Sequence, residues 1–126
     1  MGKECIFVAG CLASEAPVSH AVKAGSFVFV SGQVGAELQT GNLKDESIES
    51  ETTQALENIR QILSAAGASL ADVVKVTVFI TDMAFFSRMN EVYKKYFPAN
   101  RPARSCVQVG LAKMYRVEIE AIATLH

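Results

Sequence analysis

Positive charge is scarce in this chain and nowhere clustered. Twelve Lys and Arg are set against thirteen Asp and Glu, a formal net charge of −1. Nucleic-acid binding that ignores sequence needs Lys and Arg gathered into a patch or stripe, so nucleic acid is not expected as a partner. Cysteine is also sparse: Cys5, Cys11 and Cys106 are the only three. An odd number without a C-x-x-C pair argues against a disulfide framework or a structural zinc site. Free thiols in a reducing cytosol are the simplest account, and a cytoplasmic location is expected. No apolar run approaches the roughly 20 residues of a membrane span. Cys5 to Leu12 is apolar but short and contains Gly10, so it does not read as a secretory leader. Repeats, low-complexity tracts and linkers are absent, which leaves one domain over residues 1–126.

Half of the 126 residues are hydrophobic, enough to bury a core, while only 20% are charged. That low charged fraction hints at surface hidden in an oligomer. Cys5 to Ala9 and Ser19 to Lys23 are short candidate strands, and Ala24-Gly25 is a turn signal. Phe27-Val28-Phe29-Val30 is a dense aromatic and β-branched run, a strand that leads into Ser31-Gly32-Gln33. Gly32 there suggests a bulge or a close approach of the backbone to something else. Residues 37–44 hold Thr40-Gly41-Asn42 and form a loop. Ala55, Ile59, Ile62, Leu63 and Ala66 recur at helical spacing, which predicts a helix from Ile48 to Ala66 stopped by Gly67. Val73 to Thr81 is a long strand. Asp82 can cap a second helix with Phe85, Met89, Val92 and Tyr96 on one stripe and Pro98 at its end. Strands over Ala103–Val109 and Arg116–Thr124 complete the order βββαβαββ. The expected class is α+β, with both helices on one face of a mixed sheet.

The segment from Asn100 to Val109 carries the clearest chemical signal. Arg104, Cys106 and Gln108 are two residues apart and share one face of an extended strand. Ala103, Ser105, Val107 and Val109 form the other, which can pack. A buried unpaired guanidinium is costly, but its planar fork matches the two oxygens of a small carboxylate. The last strand alternates sharply. Val117, Ile119, Ala121 and Ala123 face one way; Arg116, Glu118, Glu120 and Ile122 face the other.

Residues 102–109 (Pro-Ala-Arg-Ser-Cys-Val-Gln-Val) and 117–123 (Val-Glu-Ile-Glu-Ala-Ile-Ala) resemble the two C-terminal signatures of the RidA (YjgF-type) reactive intermediate deaminases. Val30-Ser31-Gly32-Gln33, residues 75–82 and Asn90 fit as well, so the likeness runs from about Val18 onward. The resemblance implies a chorismate-mutase-like fold and a homotrimer with a barrel-like centre. It implies three pockets at the subunit interfaces and no metal or cofactor. It also implies an activity: hydrolysis of enamines and imines such as 2-aminoacrylate and 2-iminobutanoate to 2-keto acids and ammonia.

Under that resemblance Arg104 anchors the substrate carboxylate. An imine carbon is already electrophilic, so positioning matters more than a strong nucleophile. Glu118 orients or deprotonates the attacking water. Cys106 has no His near it in sequence to activate it, which favours a pocket-wall role over a covalent one. Ser31, Gly32 and Asn90 match pocket positions, although Asn90 reads equally as an exposed helix amide. Where many members have Gly-Pro-Tyr-Ser-Gln-Ala, this chain has Ala16-Pro17-Val18-Ser19-His20-Ala21. Val18 removes a pocket hydroxyl. His20 is either a proton donor or a satisfied strand histidine. Three competing functions follow: a non-catalytic sensor of small 2-keto acids using the same pocket, the ribonuclease or translation-inhibitor activity described for some relatives, and chaperone-like holding through an exposed apolar surface.

Overall fold

A computed structural model of the chain describes residues 2–11 and 16–126. Six strands and two helices appear in the expected order: β1 (Glu4–Ile6), β2 (Ala21–Ala24), β3 (Phe27–Gln33), α1 (Ile48–Ala65), β4 (Val73–Ile80), α2 (Phe86–Tyr96), β5 (Ala103–Gln108) and β6 (Val117–Thr124). The strands form one mixed sheet in the order β1-β2-β3-β6-β4-β5. Only β4 and β5 run parallel. A parallel pair needs a crossover, and α2 supplies it.

Local chemistry explains the boundaries. Gly25, at φ 58°, makes the two-residue turn between paired Ala24 and Phe27. Ser47 caps α1 by accepting from the Ser50 N–H, and Gly67, at φ 82°, follows its end. Asp82 accepts from the Ala84 N–H and caps a 3-10 turn over Met83–Phe85, from which α2 continues. β1 ends at Ile6 rather than Ala9, and β2 begins at Ala21 rather than Ser19, because only those residues find ladder partners. The segment from Cys5 to Leu12 ends outside the described residues.

The core lies between the sheet and the helices. Val28, Val76, Val78, Ile80, Val117, Ile119 and Ala123 meet Leu56, Ile59, Ile62 and Leu63 of α1 and Met89 of α2, all essentially buried. Each fully buried aliphatic side chain of this size contributes about 1.5–3 kcal/mol. The opposite face of the sheet is open. Phe27 and Phe29 are each 44% exposed and Val107 is 41% exposed.

One expectation reverses here. Ala103, Ser105 and Val107, expected on the packing face of their strand, are all exposed. Val76 pairs with Arg104 and Val78 with Cys106. Since Val76 and Val78 point into the core, Arg104 and Cys106 share their side of the sheet, beneath α2. The arginine is accommodated there because α2 offers it aromatic rings and an amide rather than aliphatic carbon.

Two buried polar groups pin the loops. Glu51 is fully buried on α1. It accepts from the Arg116 N–H and from Arg116 Nη1, both at 2.8 Å. Asn58 Nδ2 donates to the carbonyls of Val34 (3.3 Å) and Ala36 (2.7 Å). Together they fix both segments that border the open face near Glu118.

A candidate active site in two halves

The first half surrounds Arg104. Its Nη1 donates to Asn90 Oδ1 at 2.8 Å and lies 3.9 Å from Met89 Sδ. The guanidinium sits over the Tyr93 ring, 4.7 Å from its centroid, and 5.6 Å from that of Phe86. A cleft of about 300 Å³ opens beside it, lined by Asn90, Tyr93, Arg101, Pro102 and Arg104. Asn90 is thus a partner of the guanidinium, not a free helix amide. Cys106 lies two residues on, packed against the core. Burial pushes its thiol up from the usual value, while the Arg104 charge pulls the other way with less effect. A thiol held in its neutral form is a poor nucleophile. Gln108 does not continue the site: its Oε1 accepts from the Met83 N–H at the start of the α2 approach.

The second half surrounds Glu118 on the open face. Its carboxylate occupies the space that a Cβ on residue 32 would need, so Gly32 is required for close approach. The ladder between β3 and β6 also shifts register between Val30 and Gln33, so Gly32 marks both a bulge and a contact. Burial, reinforced by Glu120, raises the Glu118 carboxyl above its ordinary range. A cavity of about 550 Å³ is lined by Val18, His20, Ser31, Gly32, Tyr115 and Glu118, among others. Ser31 Oγ donates to the Ser19 carbonyl at 2.6 Å, which ties this rim together. His20 Nδ1 accepts from the Val8 N–H at 3.0 Å, and burial pushes its imidazole down toward the neutral form. His20 thus stands just before β2 with one ring nitrogen engaged by backbone.

The halves do not meet within one chain. Glu118 pairs with Phe79 on the open face, whereas Arg104 pairs with Val76 on the helix face. The sheet stands between Arg104 and Glu118. Phe86 and Tyr93 were not singled out in the sequence, although Phe86, Asn90 and Tyr93 have the i, i+4, i+7 spacing of a single helix face. Tyr115 was missed because it precedes a strand in an irregular turn with no period to read.

The six-stranded mixed sheet with two helices, the arginine framed by an amide and aromatic rings, and the carboxylate over a glycine are those of a RidA (YjgF)-type fold. The family described as Endoribonuclease L-PSP matches residues 9–125, and the chain belongs to that family. It is 48% identical to a RutC family protein of Pyrococcus horikoshii, over 96% of this chain and 97% of that one. It is 44% identical to the human 2-iminobutanoate/2-iminopropanoate deaminase, over 85% of this chain and 79% of the relative. The Escherichia coli TdcF structure with bound serine superposes at a TM-score of 0.90 and 41% identity, covering 98% of this chain and 99% of that one.

Proposed function

We propose that this protein hydrolyses small 2-imino and 2-enamino acids of the 2-aminoacrylate and 2-iminobutanoate class to 2-keto acids and ammonia. It works as a homotrimer in the cytosol, and its three cysteines are unpaired, as a reducing compartment would leave them. The observation that carries the reading is the framed Arg104 guanidinium at the rim of a cleft. Such a group selects a planar carboxylate.

The site is completed between copies. Arg104, Asn90 and Cys106 come from one chain; Glu118, Gly32, Ser31 and Val18 come from its neighbour. The split between the two faces of the sheet supports this, as does the uncovered apolar surface around Phe29 and Val107. Closing three such sheets around a centre would bury that surface.

The chemistry then follows. Arg104 fixes the carboxylate, so the imine carbon is presented at a set position and angle. Glu118, ionised but with a raised affinity for protons, takes a proton from water as its oxygen attacks that carbon. The C=N electron pair goes to the imine nitrogen, protonated beforehand, to give a carbinolamine. Glu118 passes the water's proton to that nitrogen, and ammonia leaves as the hydroxyl gives its proton back to Glu118 and becomes the keto carbonyl. No covalent intermediate with the protein is needed.

The test is a coupled assay. Threonine dehydratase generates 2-iminobutanoate, and formation of 2-oxobutanoate is followed with the parent, Arg104→Ala and Glu118→Gln. Acceleration by the parent alone supports the deaminase. A second reading, a sensor of small 2-keto acids, draws on Val18, an exposed aliphatic residue in the Glu118 cavity. It predicts Arg104-dependent binding without turnover. Ribonuclease action has weak physical support at a net charge of −1, and a steep salt dependence of RNA binding would be needed to revive it.

A further inference from the structure

We infer that Phe86 and Tyr93 of α2 are positioning residues that hold the Arg104 guanidinium so that a single edge of it, Nε–H and Nη2, is presented to ligand. The inference rests on the reading of Arg104 as a carboxylate anchor and says how that anchor is built.

A guanidinium has two flat faces and several N–H donors, and in water its long side chain samples many orientations. Here three of those freedoms are removed. The Nη1 edge is engaged by Asn90 Oδ1 at 2.8 Å and approached by Met89 Sδ at 3.9 Å. The Tyr93 ring lies 4.7 Å from the guanidinium carbon and the Phe86 ring 5.6 Å from it, both within the range where a ring face attracts a cation. Nε and Nη2 make no hydrogen bond among the described residues. They are adjacent and parallel, which is the geometry that receives both oxygens of one carboxylate.

All of the holding groups come from one helical stretch: Phe86, Met89, Asn90 and Tyr93. The clamp is therefore as rigid as α2. Tyr93 is nearly fully buried and its hydroxyl has no hydrogen-bond partner among the described residues. Its ring, not its oxygen, is what Arg104 uses. Lysine could not replace Arg104, because an ammonium has no plane for the rings to orient.

Binding of 2-oxobutanoate and steady-state kinetics on 2-iminobutanoate would be compared in Phe86→Leu, Tyr93→Phe, Tyr93→Leu and Arg104→Ala. Phe86 is 37% exposed, so Phe86→Leu keeps the fold even if Tyr93→Leu does not. We expect Phe86→Leu to weaken 2-oxobutanoate binding and raise KM by about tenfold, with kcat nearly unchanged. Tyr93→Phe, which keeps the ring, should match the parent. The Arg104 Nε–H proton signal is expected upfield in the parent from the ring currents, and should move downfield in Phe86→Leu. Parental affinity and an unmoved Nε–H signal in folded Phe86→Leu would overturn the inference while leaving the deaminase reading intact. Parental affinity in Arg104→Ala would overturn that reading itself, and the clamp with it.

Discussion

The carboxylate of Glu118 lies directly over Gly32, in the space where any larger residue would carry its Cβ. One residue's missing side chain thus sets the other's position. Gly32→Ala would push the carboxylate aside. Because the displaced group is the end of a flexible side chain, stability should change by no more than about 0.5 kcal/mol. Catalysis should suffer far more, since a displacement on the order of 1 Å can cost about a hundredfold. The expected result is a folded variant with kcat/KM for 2-iminobutanoate reduced by at least about tenfold. A Gly32→Ala enzyme with parental kinetics would remove Glu118 from the mechanism.

The pH profile should report Glu118. Burial first, and Glu120 second, raise its carboxyl above 4.5. As a base it must be ionised, so kcat/KM should climb with pH along an acidic limb whose midpoint lies above that value. Glu120→Gln should move the limb to lower pH by removing the neighbouring negative charge. For stability the sign is opposite. A carboxyl with a raised folded pKa stabilises the fold fully below its unfolded value, and this contribution is lost as pH rises through the folded value. Glu118→Gln should therefore be the more stable protein at neutral pH and the less active one. An acidic limb unmoved by Glu120→Gln would assign it to another group.

Cys106 faces the Arg104 side of β5, yet burial keeps its thiol protonated. A thiol in that state is a wall, not a nucleophile. Cys106→Ala should keep kcat within about threefold of the parent. Stoichiometric loss of activity on alkylating this one thiol, together with an inactive alanine variant, would point instead to covalent chemistry.

Much of the fold was legible because its signals are local. The Phe27-Val28-Phe29-Val30 run, the helical recurrence of Ala55, Ile59, Ile62 and Leu63, and the alternation of Val117 to Ala123 each specify an element from its own residues. The sheet order is not local. Nothing in the chain shows that β6 inserts between β3 and β4 and leaves β5 at the edge. The register against β4, where Arg104 pairs with Val76 and Glu118 with Phe79, puts the two on opposite faces, although their strands read as neighbours. The same gap explains the misassigned face of β5. Val107 and Ser105 look like packing residues yet lie on the open face, while Arg104 looks out of place until α2 is laid across it. Among the site residues, the resemblance marked Arg104, Glu118, Gly32 and Asn90. The aromatic partners Phe86 and Tyr93 needed the three-dimensional contact to be noticed.

Glu51 offers a test of how the Glu118 half is held. It is fully buried, and both of its oxygens are used by Arg116, one by the backbone N–H and one by Nη1. Arg116 sits immediately before β6, two residues from Glu118. Truncating one member of a buried ion pair leaves the other uncompensated and costs about 3–5 kcal/mol. Glu51→Ala should lose about that much in urea unfolding. Glu51→Gln, which keeps an acceptor for the Arg116 N–H, should lose less. Equal stability of all three would mean that the pair is solvated and does not organise this corner.

The split site makes a prediction that no single variant can. If Arg104 and Glu118 of one working pocket belong to different chains, two inactive proteins contain between them everything a pocket needs. Arg104→Ala and Glu118→Ala trimers would each be inactive alone. Unfolded together in equal amounts and refolded, they would assemble at random. A pocket then receives an intact Arg104 from one copy and an intact Glu118 from the next in about one case in four, following from cyclic assembly with a heterologous interface. Activity near that fraction of the parent is the expected outcome, with a trimer mass in light scattering. If the two residues instead served the same pocket from the same chain, every pocket would lack one of them and mixing would restore nothing. Because each variant carries its defect on a different face of the sheet, neither is expected to block assembly of the other.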